Sequence, residues 1–123
     1  MQAIIEKNYH CLYELGFTHE KISELVLHEL KGYEFVENAH ELQTGRHIRW
    51  ICLKEKSERE KEIKISRGAI FCRFKNDQSI VCKSYGNGIY FHLDPEDCFV
   101  FEKMSTEERI VATAMDFASH NQK

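Results

Sequence analysis

The spacing of apolar residues changes twice along this chain, and this change restricts the fold more than any other feature of the sequence. In residues 2–30 the apolar side chains recur every three or four positions, as on one face of a helix. Between residues 44 and 103 they alternate with polar side chains, as in half-buried strands. Helical spacing returns after Ser105. The pattern therefore predicts an α+β protein with helices at both ends and strands between them.

The N-terminal segment, residues 1–32, is predicted to be a helical hairpin. Gly16 stands where a left-handed cap would end a first helix, and Thr18 can cap the start of a second one. Gly32 then ends the second helix. The connection between the two helices is short, because the second helix begins soon after the first one ends.

The C-terminal segment, residues 105–119, is predicted to be a single amphipathic helix. Ser105 and Glu108 have the spacing of a capping box, in which each side chain binds the backbone of the other residue. The residues that follow predict an apolar face: Ile110, Val111, Ala114, Met115 and Ala118. We expect this face to pack against the rest of the protein.

Five short antiparallel strands are predicted in residues 44–103, after a transitional segment at residues 33–43. Closing such strands into a small barrel or a strongly bent sheet removes exposed edges, so we expect a fold of the Tudor or Src-homology-3 type. An open sheet covered by the helices is the alternative. A chain of 123 residues is long enough for one core, so residues 1–123 are interpreted as a single domain.

The hairpin around Asn87-Gly88 is the most informative stretch, because this dipeptide favours a two-residue type I′ turn. Such a turn would place two cross-strand pairs on one face: Tyr85 with Tyr90, and Lys83 with His92. Alternation would bring Phe71 and Arg73 of the preceding strand to the same side. In the strand before that, Trp50 should face the core and Arg49 should point outward.

These side chains form the predicted binding surface: Arg49, Phe71, Arg73, Lys83, Tyr85, Tyr90 and His92. Aromatic rings that stack on bases, interleaved with cations that neutralise phosphates, are typical of proteins that bind single-stranded nucleic acid. The alternative is structural, because a cross-strand tyrosine pair stabilises a hairpin by roughly 0.2–1 kcal/mol without any ligand. A reader of methylated peptides would also need such rings, as an aromatic cage.

Charge is distributed unevenly, although the net charge is only −3. Residues 45–75 hold ten basic and four acidic side chains, whereas the remainder holds seven basic and sixteen acidic ones. The basic residues of this central segment are Arg46, Arg49, Lys54, Lys56, Arg59, Lys61, Lys64, Arg67, Arg73 and Lys75. A basic centre attracts a polyanion, or the acidic flanks of a second copy. A structural or assembly protein that makes homo-oligomers or other protein contacts is therefore the rival to nucleic-acid binding.

Neither a metal site, a cofactor nor a catalytic centre is predicted. Five cysteines and seven histidines are scattered without the short paired spacings of zinc ligands, and the glycines do not form a phosphate-binding loop. Each cysteine lies in an apolar run, where a free thiol packs as a small hydrophobic group, so we expect a reducing compartment. With no signal peptide or membrane-spanning stretch in the sequence, we expect an intracellular protein, cytoplasmic or nuclear, that does not bind membranes.

Four stretches between residues 45 and 110 carry a resemblance: "GRHIRWI" from Gly45, "GAIFCRF", "IVCKS" and "FVFEKMSTEERI". Together they resemble small uncharacterised proteins encoded by large nucleocytoplasmic DNA viruses, over residues 42–112. What the resemblance implies is a viral origin, with a virion or virus-factory location.

Overall fold

The structure is a computed structural model that describes residues 2–52 and 65–121, and in the last helix the side chains up to residue 115. The described residues form an α+β fold with three α-helices and six strands. The helices are α1 (Gln2–Glu14), α2 (His19–Glu24), which a π-helical turn extends over Leu25–Glu29, and α3 (Thr106–Asn121). The strands are β1 (Tyr33–Val36), β2 (His47–Cys52), β3 (Ala69–Phe74), β4 (Ile80–Ser84), β5 (Tyr90–Leu93) and β6 (Cys98–Lys103).

The three helices belong to one compact unit, and residues 36–102 form a second one. In the helical unit the predicted caps are confirmed. The Thr18 hydroxyl accepts a hydrogen bond from the Lys21 amide at 3.3 Å. The Ser105 amide donates to the Glu108 carboxylate at 2.8 Å, and the Glu108 amide donates to the Ser105 hydroxyl at 3.1 Å. These caps were predictable because each depends on side chains within one turn of the helix end.

The apolar face of α3 does not pack as expected. Ile110, Val111 and Met115 are 62%, 57% and 67% exposed. Helical spacing places apolar side chains on one side of a helix, but it does not specify what covers them. The described side chains of the predicted apolar face of α3 are therefore exposed to solvent.

The six strands form one sheet in the order β1-β6-β2-β3-β4-β5. Within the described residues the sheet is not closed, since β1 and β5 lie at its two edges. The prediction of five strands was wrong in number, because β1 lies in the segment interpreted as transitional. All four of its side chains are half-buried, so they do not show the alternation from which a strand is predicted.

A hydrophobic cluster of the second unit lies on one face of the sheet. Its buried members are Leu42, Ile48, Ala69, Phe71, Ile80, Cys82, Cys98 and Val100. Trp50 is half-buried and packs against this cluster, with its ring centroid 5.7 Å from that of Phe91. The predicted inward orientation of Trp50 is confirmed. Because side chains alternate along a strand, the residues next to Trp50 point to the opposite face of β2.

The cysteines depart from the expectation that all five pack inside. Cys11, Cys82 and Cys98 are buried, whereas Cys72 is half-buried and Cys52 is exposed. Cys52 is the last residue of β2, where an inward phase no longer ensures burial.

Candidate nucleic-acid interface

The β4–β5 hairpin has a different register from the one predicted. Lys83 pairs with Tyr90, and Val81 pairs with His92. The Ser84 amide donates to the Ile89 carbonyl at 2.9 Å, so the loop contains four residues rather than two. Its positive φ angles fall on glycines at positions 86 and 88, and no non-glycine residue in the described chain has a positive φ. The predicted type I′ turn and the Tyr85–Tyr90 pair were therefore wrong.

A shift of two residues keeps the same side chains on the same face, because alternation has a period of two. For this reason Lys83, Tyr90 and His92 still share the outward face of the hairpin. Tyr85 is the residue that changes its role, since it now belongs to the loop.

Tyr85 is held by side chains and backbone of β2 and β3. Its hydroxyl is hydrogen-bonded to Nδ1 of His47 at 2.5 Å, and it lies 3.4 Å from the Ala69 carbonyl oxygen. Its ring packs over Gly68, where a Cβ would lie 3.3 Å from Cε2 of the ring. Tyr85 is nevertheless 41% exposed, so it presents an aromatic surface to solvent that these contacts hold in place.

Phe71 does not belong to the outward face. A β-bulge lies between Phe71 and Arg73, so that Phe71 pairs with Cys82 and Arg73 pairs with Val81. The extra residue, Cys72, reverses the alternation, and as a result Phe71 and Arg73 point to opposite faces. Phe71 is fully buried in the core. The prediction that it contributes to the binding surface was wrong.

The outward side chains of the last three strands in the sheet order make up what we call the β3–β5 surface: Arg73, Lys75, Lys83, Tyr90 and His92. Within the part of the chain whose side chains are described, none of its three cations forms a salt bridge with an acidic side chain. Nζ of Lys75 lies 3.3 Å from Nδ1 of His92. Lys75 follows the last residue of β3, and its contact with His92 brings it into this surface.

Tyr90 is the most exposed aromatic side chain of the sheet, at 61%. Nζ of Lys83 lies 5.8 Å from the centre of its ring, within the range of a cation–π contact. The ring of Tyr90 therefore stands on the edge strand β5 with one cation beside it.

Arg49 of β2 and Arg46, which precedes β2, both make contacts within the protein. Nε of Arg49 donates to the Ser66 carbonyl at 2.9 Å. Arg46 lies 3.8 Å from the Glu102 carboxylate and also donates to the side chain of Gln43. The predicted site residue Arg49 is thus an outward residue, as expected, but its guanidinium also supports the local backbone. Lys54, Lys56, Arg59, Lys61 and Lys64, which carry half of the predicted basic segment, lie outside the described residues.

The described residues include no group of three or more His, Cys, Asp or Glu side chains placed to hold a metal ion. Among those same residues, no helix combines the length and the apolar character that crossing a membrane requires. Comparison with protein-family models, with curated proteins and with solved structures gives no match.

Proposed function

We propose that this protein is a non-enzymatic binding module that holds single-stranded nucleic acid on the β3–β5 surface. The observation that carries the proposal is the exposed ring of Tyr90 beside Lys83, on the same face as Arg73 and His92. A base can stack on the ring while a neighbouring cation contacts the phosphate, and every base has a face that allows this stacking. The proposal therefore names a class of ligand and not a sequence.

Tyr85 supplies a second ring at the loop end of the hairpin. Because His47 holds its hydroxyl and Gly68 lies under its ring, little side-chain freedom remains to be lost when a base stacks on it. Loss of rotamer freedom costs about 0.5–1.5 kcal/mol for each side chain that a ligand immobilises. Tyr85 is thus preorganised, and Tyr90 is oriented by Lys83.

The open sheet is, in this proposal, a strongly bent sheet of the Tudor type. Such sheets present loops and edge strands to ligands, which suits the position of Tyr90 on β5. The resemblance to proteins of large DNA viruses extends the proposal to a viral protein that acts in the virion or the virus factory.

Fluorescence anisotropy with a labelled single-stranded oligonucleotide at low salt tests the proposal. Tyr90→Ala should lose roughly 1–3 kcal/mol of binding free energy, since stacking on one base is worth about that much. The matched control is Tyr13→Ala, because Tyr13 on α1 is 65% exposed and lies outside the surface. If the parent binds no oligonucleotide, or if both variants bind as tightly as the parent, the nucleic-acid function is wrong.

A second candidate function is assembly, and the exposed face of α3 favours it. Ile110, Val111 and Met115 lie at helical spacing and are all more than half exposed. We propose that this face meets the same face of a second copy, since an apolar stripe is complementary to itself about a twofold axis. Burial of apolar side chains would then drive the dimer.

A further inference from the structure

Cys52 and Cys98 are neighbours on adjacent strands. Cys52 ends β2 and Cys98 begins β6, and the two residues are directly opposite each other in the antiparallel register. The sequence gives no sign of this proximity, because 45 residues lie between the two cysteines.

The register suits a covalent link between the two sulfur atoms. Directly opposed residues of an antiparallel pair have Cα atoms about 4.5–5.5 Å apart. A disulfide requires a Cα separation of about 4.4–6.8 Å, so the register places this pair within the range of a disulfide. Exposure distinguishes the two thiols, since Cys52 is exposed and Cys98 is only 7% exposed.

We propose that Cys52 and Cys98 are a redox modification site that hydrogen peroxide converts to a reversible intramolecular disulfide. Peroxide transfers one oxygen atom to the exposed Cys52 sulfur, which becomes a sulfenic acid and releases water. The Cys98 sulfur then attacks the Cys52 sulfur, the S–S bond forms, and the hydroxyl group leaves with the Cys98 proton as a second water. Two thiols are oxidised and one peroxide is reduced to two waters.

The environment of the Cys98 thiol supports an order in which Cys52 is oxidised first. Burial raises the pKa of its thiol to about 12, and the neighbouring Cys52 contributes in the same direction. Cys98 is therefore protonated at neutral pH, while the oxidant reaches Cys52 first because that side chain is exposed. Cys98 then acts as the resolving thiol, because the register places it directly opposite Cys52.

A second pair of cysteines, Cys72 and Cys82, also lies close together and can be compared with Cys52 and Cys98. Cys72 is the bulge residue of β3, and its thiol contacts the Ile70 carbonyl at 3.6 Å. It is not the register partner of Cys82, which pairs with Phe71. We therefore expect no disulfide between Cys72 and Cys82 under conditions that link Cys52 and Cys98.

The test is peroxide treatment of the reduced, full-length chain, followed by mass spectrometry of the intact protein and of its non-reduced peptides. We expect a loss of about 2 Da, a cross-linked peptide pair that contains Cys52 and Cys98, and full reversal by dithiothreitol. Cys52→Ser should abolish the link, whereas the control Cys72→Ser should leave it intact. Circular dichroism verifies that both variants are folded, which we expect because neither residue is fully buried.

Two outcomes would overturn the proposal. One is oxygen added to Cys52 without formation of the disulfide. The other is a cross-link that persists in Cys52→Ser.

Discussion

At the scale of single residues, one extra residue in β3 decides which side chains form the candidate surface. Cys72 forms the bulge, and the strand changes phase on either side of it. Phe71 is therefore in the core, while Arg73 faces the same side as Lys83. Without the bulge, Phe71 and Arg73 would share a face, as regular alternation predicts. The β3–β5 surface, with Tyr90, His92 and three cations, replaces the surface with a phenylalanine that the sequence pattern predicted.

Gly68 has a specific structural role at this scale. Its φ is +105°, and an added Cβ would lie 3.0 Å from the Ile48 carbonyl oxygen and 3.3 Å from the Tyr85 ring. A side chain at this position would be strained, and it would also displace the tyrosine that we propose as a stacking surface.

We expect Gly68→Ala to reduce the free energy of unfolding by roughly 1–3 kcal/mol, because an L-residue is strained at this φ and its Cβ meets backbone. Urea denaturation measures the change. Gly45→Ala is the matched control, since Gly45 has a φ of +87° and no atom within 4 Å of its added Cβ. Equal losses in the two variants would contradict the role assigned to the close contacts of Gly68.

At the scale of secondary-structure elements, α3 is the element whose sequence and environment disagree most. Its first turn is capped as predicted, yet its apolar side chains are exposed. Apolar surface that is exposed along one face of a helix is costly in water, and such a surface is usually covered by a partner.

If α3 mediates a dimer, Met115→Glu should convert the dimer to a monomer, because a carboxylate would be buried without a partner at the interface. Light scattering coupled to size-exclusion chromatography measures the mass. Thr113→Glu adds the same charge to the same helix outside the apolar stripe, so it should leave the dimer intact. A parent protein that stays monomeric at every concentration would eliminate this interface.

At the scale of the whole molecule, the charge distribution separates the two candidate functions. The chain carries a net charge of −3, so a polyanion must bind to a local group of cations. The β3–β5 surface provides three, Arg73, Lys75 and Lys83. An apolar dimer interface has no such dependence on charge.

Binding of single-stranded nucleic acid should therefore depend on salt with a slope near −2 in a plot of log K against log salt concentration, for about three phosphate contacts at −0.7 each. Lys83→Ala should make the slope less steep by about 0.7, because one phosphate contact is lost. Lys21→Ala, which removes an exposed lysine of α2, is the control and should leave the slope unchanged. Anisotropy titrations between low and moderate salt measure both slopes, and a slope of zero in the parent would exclude phosphate contacts.

Local features of this protein were determined by the sequence itself. The caps at Thr18 and Ser105, the alternation that turns Ile48 and Trp50 inward, and the α+β class all follow from side chains a few residues apart. Such features are predictable because the interactions that stabilise them join residues within one helical turn or one strand.

Only the tertiary structure decided the register of the β4–β5 hairpin, the bulge at Cys72, the extra strand β1, the exposure of α3 and the juxtaposition of Cys52 with Cys98. The Asn87-Gly88 turn was a reasonable local prediction, but pairing Lys83 with Tyr90 places the positive φ angles on Gly86 and Gly88, where they cost little. The added strand β1 and the pairing of Cys52 with Cys98 depend on packing between residues that are distant in the chain. Periodicity within a segment contains no information about that packing. The kinds of side chain that form the candidate surface could therefore be predicted, but not which individual residues form it.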